Sequence, residues 1–133
     1  MFSLNQVTLL VCDVAVNKEF FQRLGFKLIV DAPPHYARFE LPGGNPPATF
    51  SLDLDPEADV HAKQKAQVFF ELPSKLALDE YCARMEREQG FEFLEPPTDK
   101  DYLWREARLK TPEGHDVRFY FAGVNRLDPP WKV

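Results

Sequence analysis

Apolar and polar residues alternate in short blocks along this chain, and the two halves run through the same order of blocks. Leu4 to Val11 is apolar, with Gln6 and Thr8 interrupting at a spacing of two, which predicts a strand with two unlike faces. Asp13 can cap a helix in which Phe20, Phe21 and Leu24 recur at helical spacing. Gly25 suits the left-handed position that ends such a helix. Residues 26–31 predict a strand, Pro33-Pro34 a turn, and Pro42 to Pro47 a loop. Tyr36, Arg38 and Glu40 alternate with Ala37, Phe39 and Leu41; Ser51, Asp53 and Asp55 alternate with Phe50, Leu52 and Leu54. Residues 56–65 are charged and aperiodic, as a linker would be.

The second half repeats the order. Gln67, Phe69 and Glu71 alternate with Val68, Phe70 and Leu72. Ser74 can cap a helix whose stripe is Leu76, Leu78, Tyr81, Cys82 and Met85, ending at Gln89-Gly90-Phe91 as the first ends at Leu24-Gly25-Phe26. A short strand is expected at Glu92 to Leu94 and a loop from Glu95 to Asp101. Trp104, Glu106 and Arg108 alternate with Arg105, Ala107 and Leu109. The turn Thr111-Pro112-Glu113-Gly114 leads to Asp116, Arg118 and Tyr120, which alternate with Val117, Phe119 and Phe121. The last ten residues, with Pro129-Pro130-Trp131, predict a tail packed on the surface. The expected fold is therefore α+β: a β-α-β-β-β module over 1–56, a linker over 57–65, and a second β-α-β-β-β module over 66–133 that includes the tail. A module this small cannot readily bury a core alone, and two paired modules would leave a cleft between them.

Sorting the strands by face gives a candidate site. The apolar face is expected to receive the helices. The opposite face collects Gln6, Tyr36, Arg38, Ser51, Asp53, Gln67, Phe69, Glu71, Trp104, Glu106, Arg108, Arg118 and Tyr120. A polar sheet face is ordinarily a solvated one. Four aromatic rings among charges of both signs point instead to a concave ligand-binding surface. Asp53, Glu71 and Glu106 are each expected to meet an arginine, from Arg38, Arg108 or Arg118, in an ion pair rather than to act as acid or base.

Composition narrows the partners. A net charge of −5 argues against nucleic acid and against an anionic membrane surface. No apolar run is long enough to span a bilayer and no signal-peptide pattern opens the chain, so a cytoplasmic location is expected. Cys12 and Cys82 lack metal-type spacing and are expected to be buried thiols. His35, His61 and His115 share no metal-binding spacing, and His115, in a turn, is expected to face solvent.

With its paired modules, its opening LNQVTLLVCDV followed by FFQRLGF, and its ending WREARLKTPEGHDVRFYFAGVNRLDPPW, the chain resembles the vicinal oxygen chelate superfamily of glyoxalases, bleomycin-resistance proteins and ring-cleaving dioxygenases. Thr111 to His115 looks like that family's turn before the last strand, with Thr111 and Glu113 in place of acids. The resemblance implies metal-ligand positions on Gln6, Ser51, Gln67 and Arg118. Two amides, a hydroxyl and a guanidinium are a poor donor set, so no metal and no cofactor are expected. Three functions remain open. The first is metal-independent binding of a small polar or aromatic ligand. The second is a lyase, isomerase or dioxygenase-like enzyme with a rearranged site, in which Gln6, Asp53, Glu71 and Glu106 would be the oxygen donors. The third is a structural or partner-binding protein with no small ligand. Exposed sheet edges lead to the expectation of a homodimer.

Overall fold

The computed structural model describes residues 1–58, 61, 62 and 65–131. The expected linker, 57–65, therefore includes four residues outside the described ones. The chain divides into two compact units, Met1–Gln64 and Lys65–Val133.

In the first unit, β1 (Gln6–Val11) leads to α1 (Val14–Arg23), then β2 (Lys27–Ala32), β3 (Tyr36–Leu41) and β4 (Ala48–Leu54). The sheet order is β1-β4-β3-β2, with β1 parallel to β4 and the other pairs antiparallel. Asp13 starts α1 as its spacing predicts, its carboxylate accepting from the Val16 N–H at 3.1 Å. The helix lays Phe21 on the sheet, where its ring meets Phe50 at 4.8 Å, Phe26 at 5.2 Å and Phe39 at 6.0 Å. Phe21, Phe39, Phe50 and Leu52 are fully buried there. Each phenylalanine contributes about 1.5–3 kcal/mol by burial.

The second unit repeats the plan with β5 (Gln67–Glu71), α2 (Lys75–Gln89), β6 (Glu95–Asp99), β7 (Arg105–Lys110) and β8 (Asp116–Phe121), in the order β5-β8-β7-β6. Ser74 caps α2 through the Ala77 N–H at 3.0 Å, and Gly90 ends it at φ +71°, a conformation that favours glycine. Leu78, Cys82 and Met85 are buried, as are Val117 and Phe119 on β8, and the Tyr81 ring lies 4.9 Å from that of Phe119. Burial pushes the Cys82 thiol up to about 12, the acids Asp79 and Glu86 adding to the effect. A 3-10 turn, Gly123–Arg126, follows β8. No helix among the described residues is long and apolar enough to cross a membrane.

The pattern fails at one strand. Residues 92–94 are not a strand, and β6 occupies Glu95–Asp99, where a loop is expected. Proline has no N–H for the ladder, so Pro96-Pro97 reads as a break. β6 is an edge strand, which tolerates that loss. Its pairing with β7 shifts register between Glu95 and Thr98, and the prolines fall inside the irregularity. The cysteine expectation also needs correction: Cys82 is buried but Cys12 is exposed.

Candidate functional site

In each unit the strand register puts the predicted site residues on the sheet face away from its helix. In the first unit, Arg38 pairs with Ser51, Tyr36 with Asp53, and Thr8 with Ser51, so these side chains share one face. Ser51 is fully buried at its centre. Its hydroxyl oxygen accepts from Gln6 Nε2 at 2.9 Å and from Tyr36 Oη at 2.7 Å. Arg38 Nε donates to Tyr36 Oη at 2.9 Å, which orients the phenol toward Ser51. Gln6 Nε2 also donates to Thr8 Oγ1 at 2.9 Å, and its carbonyl oxygen accepts from Thr49 Oγ1. Asp53 is exposed, and Arg38 is turned to Tyr36 rather than to it.

The second unit holds the charged cluster. Glu106 is 1% exposed and is held by two groups, Arg118 Nη1 at 2.7 Å and the Tyr102 hydroxyl. Asp116 is 4% exposed. Its Oδ2 accepts from Arg118 at 3.2 Å, Arg108 at 3.3 Å and Gln67 Nε2 at 3.3 Å. Two carboxylates and two guanidiniums thus neutralise one another. Burial pushes the Asp116 carboxyl up, but the hydrogen bonds from Arg118 and Arg108 outweigh it and leave it below the ordinary carboxylate range. Burial and the bond to Glu106 together raise the Tyr102 phenol to about 12.

Beside the ions lies an aromatic group. Trp104, just before β7, stacks on Tyr120 at 4.8 Å and 23°. Phe69 stands edge-on to both, at 6.1 Å from Trp104 and 5.6 Å from Tyr120. The Arg118 guanidinium lies over the Phe69 ring, 5.4 Å from its centre. The structure thus brings Gln67, Phe69, Trp104, Glu106, Arg108, Arg118 and Tyr120 together in one unit, and Gln6, Tyr36, Arg38 and Ser51 in the other.

Three expectations need correction, those for Asp53, Glu71 and His115, and two residues, Asp116 and Tyr102, join the site. Of the three acids expected to meet Arg38, Arg108 or Arg118, only Glu106 does. Glu71 turns to the chain after β8, accepting from the Ala122 N–H at 2.8 Å and the Gly123 N–H at 3.0 Å. Arg108 and Arg118 share Asp116, which was placed on this face by alternation but not among the site residues. Its signal was present in the sequence, since it stands two residues before Arg118 in the same alternation. Tyr102 had no such signal, because it lies in an aperiodic loop four residues before Glu106. Finally, His115 is half-buried, its Nδ1 accepting from the Ala66 N–H at 3.0 Å. On the helix side of this unit, a cavity of about 380 Å3 is lined by Leu72, Ala77, Glu80, Tyr81, Arg84 and Arg87. It holds no catalytic constellation.

Residues 3–119 match the family model of the Glyoxalase/Bleomycin resistance protein/Dioxygenase superfamily. The chain belongs to this superfamily. Solved structures of its members share the fold across nearly the whole chain. A glyoxalase/bleomycin resistance protein/dioxygenase from Nocardioides aligns with a TM-score of 0.75 at 22% identity, over 100% of this chain and 90% of that one. Lactoylglutathione lyase from Agrobacterium tumefaciens aligns at 0.74 and 14% identity, over 92% and 95%. A glyoxalase/bleomycin resistance protein/dioxygenase from Alicyclobacillus acidocaldarius aligns at 0.72 and 14% identity, over 94% and 95%. At these identities the likeness shows the fold alone. No curated protein sequence matches significantly.

The superfamily's metal does not fit the residues at the implied ligand positions. The Gln6 carbonyl oxygen is taken up by Thr49, and Ser51 Oγ accepts two hydrogen bonds. Gln67 turns its amide nitrogen to Asp116, and Arg118 is a fixed cation. Among the described residues no three His, Cys, Asp or Glu side chains form a metal-binding group. The alternative oxygen donors fare no better: Glu71 is bound to backbone N–H groups and Glu106 to Arg118.

Proposed function

We propose that this member of the superfamily binds a small planar aromatic molecule, without a resident metal, on the polar sheet face of its second unit. The reading rests on the Trp104–Tyr120 stack with Phe69 edge-on, set beside an ion-pair group that neutralises itself. Arg118 is committed to Glu106 and Asp116, and Arg108 gives one bond to Asp116 while its Nε is left without a partner. The ligand anchored there is therefore uncharged or weakly polar, held by stacking more than by ion pairing. Catalysis has less to rest on, because the acids of this face are tied to arginines or to backbone N–H groups. Titration of the purified chain with a panel of neutral planar aromatics, followed by tryptophan emission, tests the proposal. At least one compound should bind with unchanged affinity in the presence of a chelator. Trp104→Ala should weaken it about tenfold, or about 1.4 kcal/mol. Binding abolished by the chelator, or indifferent to Trp104→Ala, would overturn it.

A further inference from the structure

We infer that the segment Gly123–Trp131 is a strap over the aromatic group, latched by Glu71, whose release governs access to Trp104. Glu71 lies on edge strand β5, on the same face as Phe69. One oxygen of its carboxylate accepts from two successive backbone N–H groups, Ala122 at 2.8 Å and Gly123 at 3.0 Å. The other lies 3.7 Å from Arg126 Nε. Two further tethers hold the segment, one to the Trp104 ring and one to the backbone of the loop before β7. The Trp104 indole N–H donates to the Asn125 carbonyl at 3.4 Å, and the Trp131 indole N–H donates to the Tyr102 carbonyl at 3.2 Å.

The strap is held by these polar tethers and not by a core of its own. None of the residues in its 3-10 turn is buried, and Val124, Leu127 and Trp131 are 79%, 76% and 56% exposed. A segment with few buried apolar contacts opens at much lower cost than the sheet beneath it. Its pivot is Gly123, at φ +57°, where an added Cβ would stand 2.8 Å from the Phe121 ring. The latch is charge-assisted, so Glu71 outweighs the neutral tethers. Glu71 is accordingly a positioning residue: it acts on the site through the strap.

The inference rests on the proposed role of the aromatic face, but its test needs no ligand, so the two can fail separately. In a Trp131→Phe background, which gives up the tether to Tyr102 in every arm alike, Trp104 is the sole tryptophan, and acrylamide quenching of its emission reads access directly. Glu71→Ala should raise the quenching constant about twofold with the circular dichroism spectrum unchanged. Glu71→Gln, which keeps an acceptor oxygen, should restore part of the protection, and Gly123→Ala should open the strap from its pivot. Quenching unchanged in folded Glu71→Ala would overturn the inference. Hydrogen exchange of the unaltered chain provides a check that needs no substitution. The Ala122 and Gly123 amides should exchange faster than those of β8, and equal protection would also overturn it.

Discussion

Glu106 is almost wholly buried, and Arg118 and Tyr102 hold its carboxylate oxygens. A buried ion pair adds little compared with apolar residues of the same shape, but breaking one is costly, since the remaining charge stays buried. Arg118→Ala also removes two of the hydrogen bonds that Asp116 accepts. It should therefore destabilise the protein by about 3–5 kcal/mol in urea unfolding. Combining it with Glu106→Leu should recover part of that loss, and a single-variant loss below about 1 kcal/mol would contradict the account. The candidate site was partly legible at this scale. Alternation placed Arg118 and Glu106 on one face, because a period of two is a property of the sequence. The choice of partner was not legible. Arg118 could reach several acids, and only the β7–β8 register, with Arg108 opposite Arg118 and Glu106 opposite Tyr120, decides for Glu106 and Asp116.

Among the elements, the β7–β8 hairpin is fastened to the start of β5 through His115. Thr111 and His115 close the turn, with the Thr111 N–H on the His115 carbonyl at 2.9 Å and the His115 N–H on Thr111 Oγ1 at 3.0 Å. His115 Nδ1 then accepts from the Ala66 N–H, and the Asp116 N–H donates to the Ala66 carbonyl at 2.9 Å. An imidazole accepting at Nδ1 must be neutral there. Burial first, and then the neighbouring Lys65 with Lys110, lower its pKa against the opposing pull of Glu113. The unfolded chain, with an imidazole near pKa ~6.5, thus takes up a proton before the folded one does. The contribution is fully present above that value and is lost as the pH falls toward the folded value. The midpoint of thermal unfolding should fall as the pH drops below about 6.5, and His115→Phe should flatten that part of the profile. An unchanged slope in the variant would exclude the histidine. The helices were legible because Asp13, Ser74 and Gly90 mark their ends by local chemistry. β6 was not, because its pairing comes from β7, while Pro96 and Pro97 locally argue against a strand.

For the whole molecule, the open question is what meets the edges of the two sheets. Each four-stranded sheet ends in two edge strands, β1 and β2 in one unit, β5 and β6 in the other. β6 is blunted by its prolines, whereas β1 carries none and exposes Val7 and Leu10, at 37% and 55%. β2 adds Ile29 at 45%. An edge with free backbone groups and apolar side chains invites association, and a closed two-fold pair is the commonest way for like chains to satisfy it. We propose that the protein is a homodimer in solution with β1 at or near the contact. The opposing effect is charge: each chain carries −5, so pairing brings like net charges together. At physiological ionic strength the screening length is about 8 Å, which leaves apolar contact at the edge to decide the outcome. Sedimentation equilibrium at micromolar concentration should therefore give twice the 15.4 kDa of one chain. Leu10→Lys, which puts a charge on the exposed edge, should weaken the dimer at least about tenfold, or about 1.4 kcal/mol, without unfolding it. A monomer under those conditions would count against association altogether, and a dimer indifferent to Leu10→Lys would move the contact away from β1.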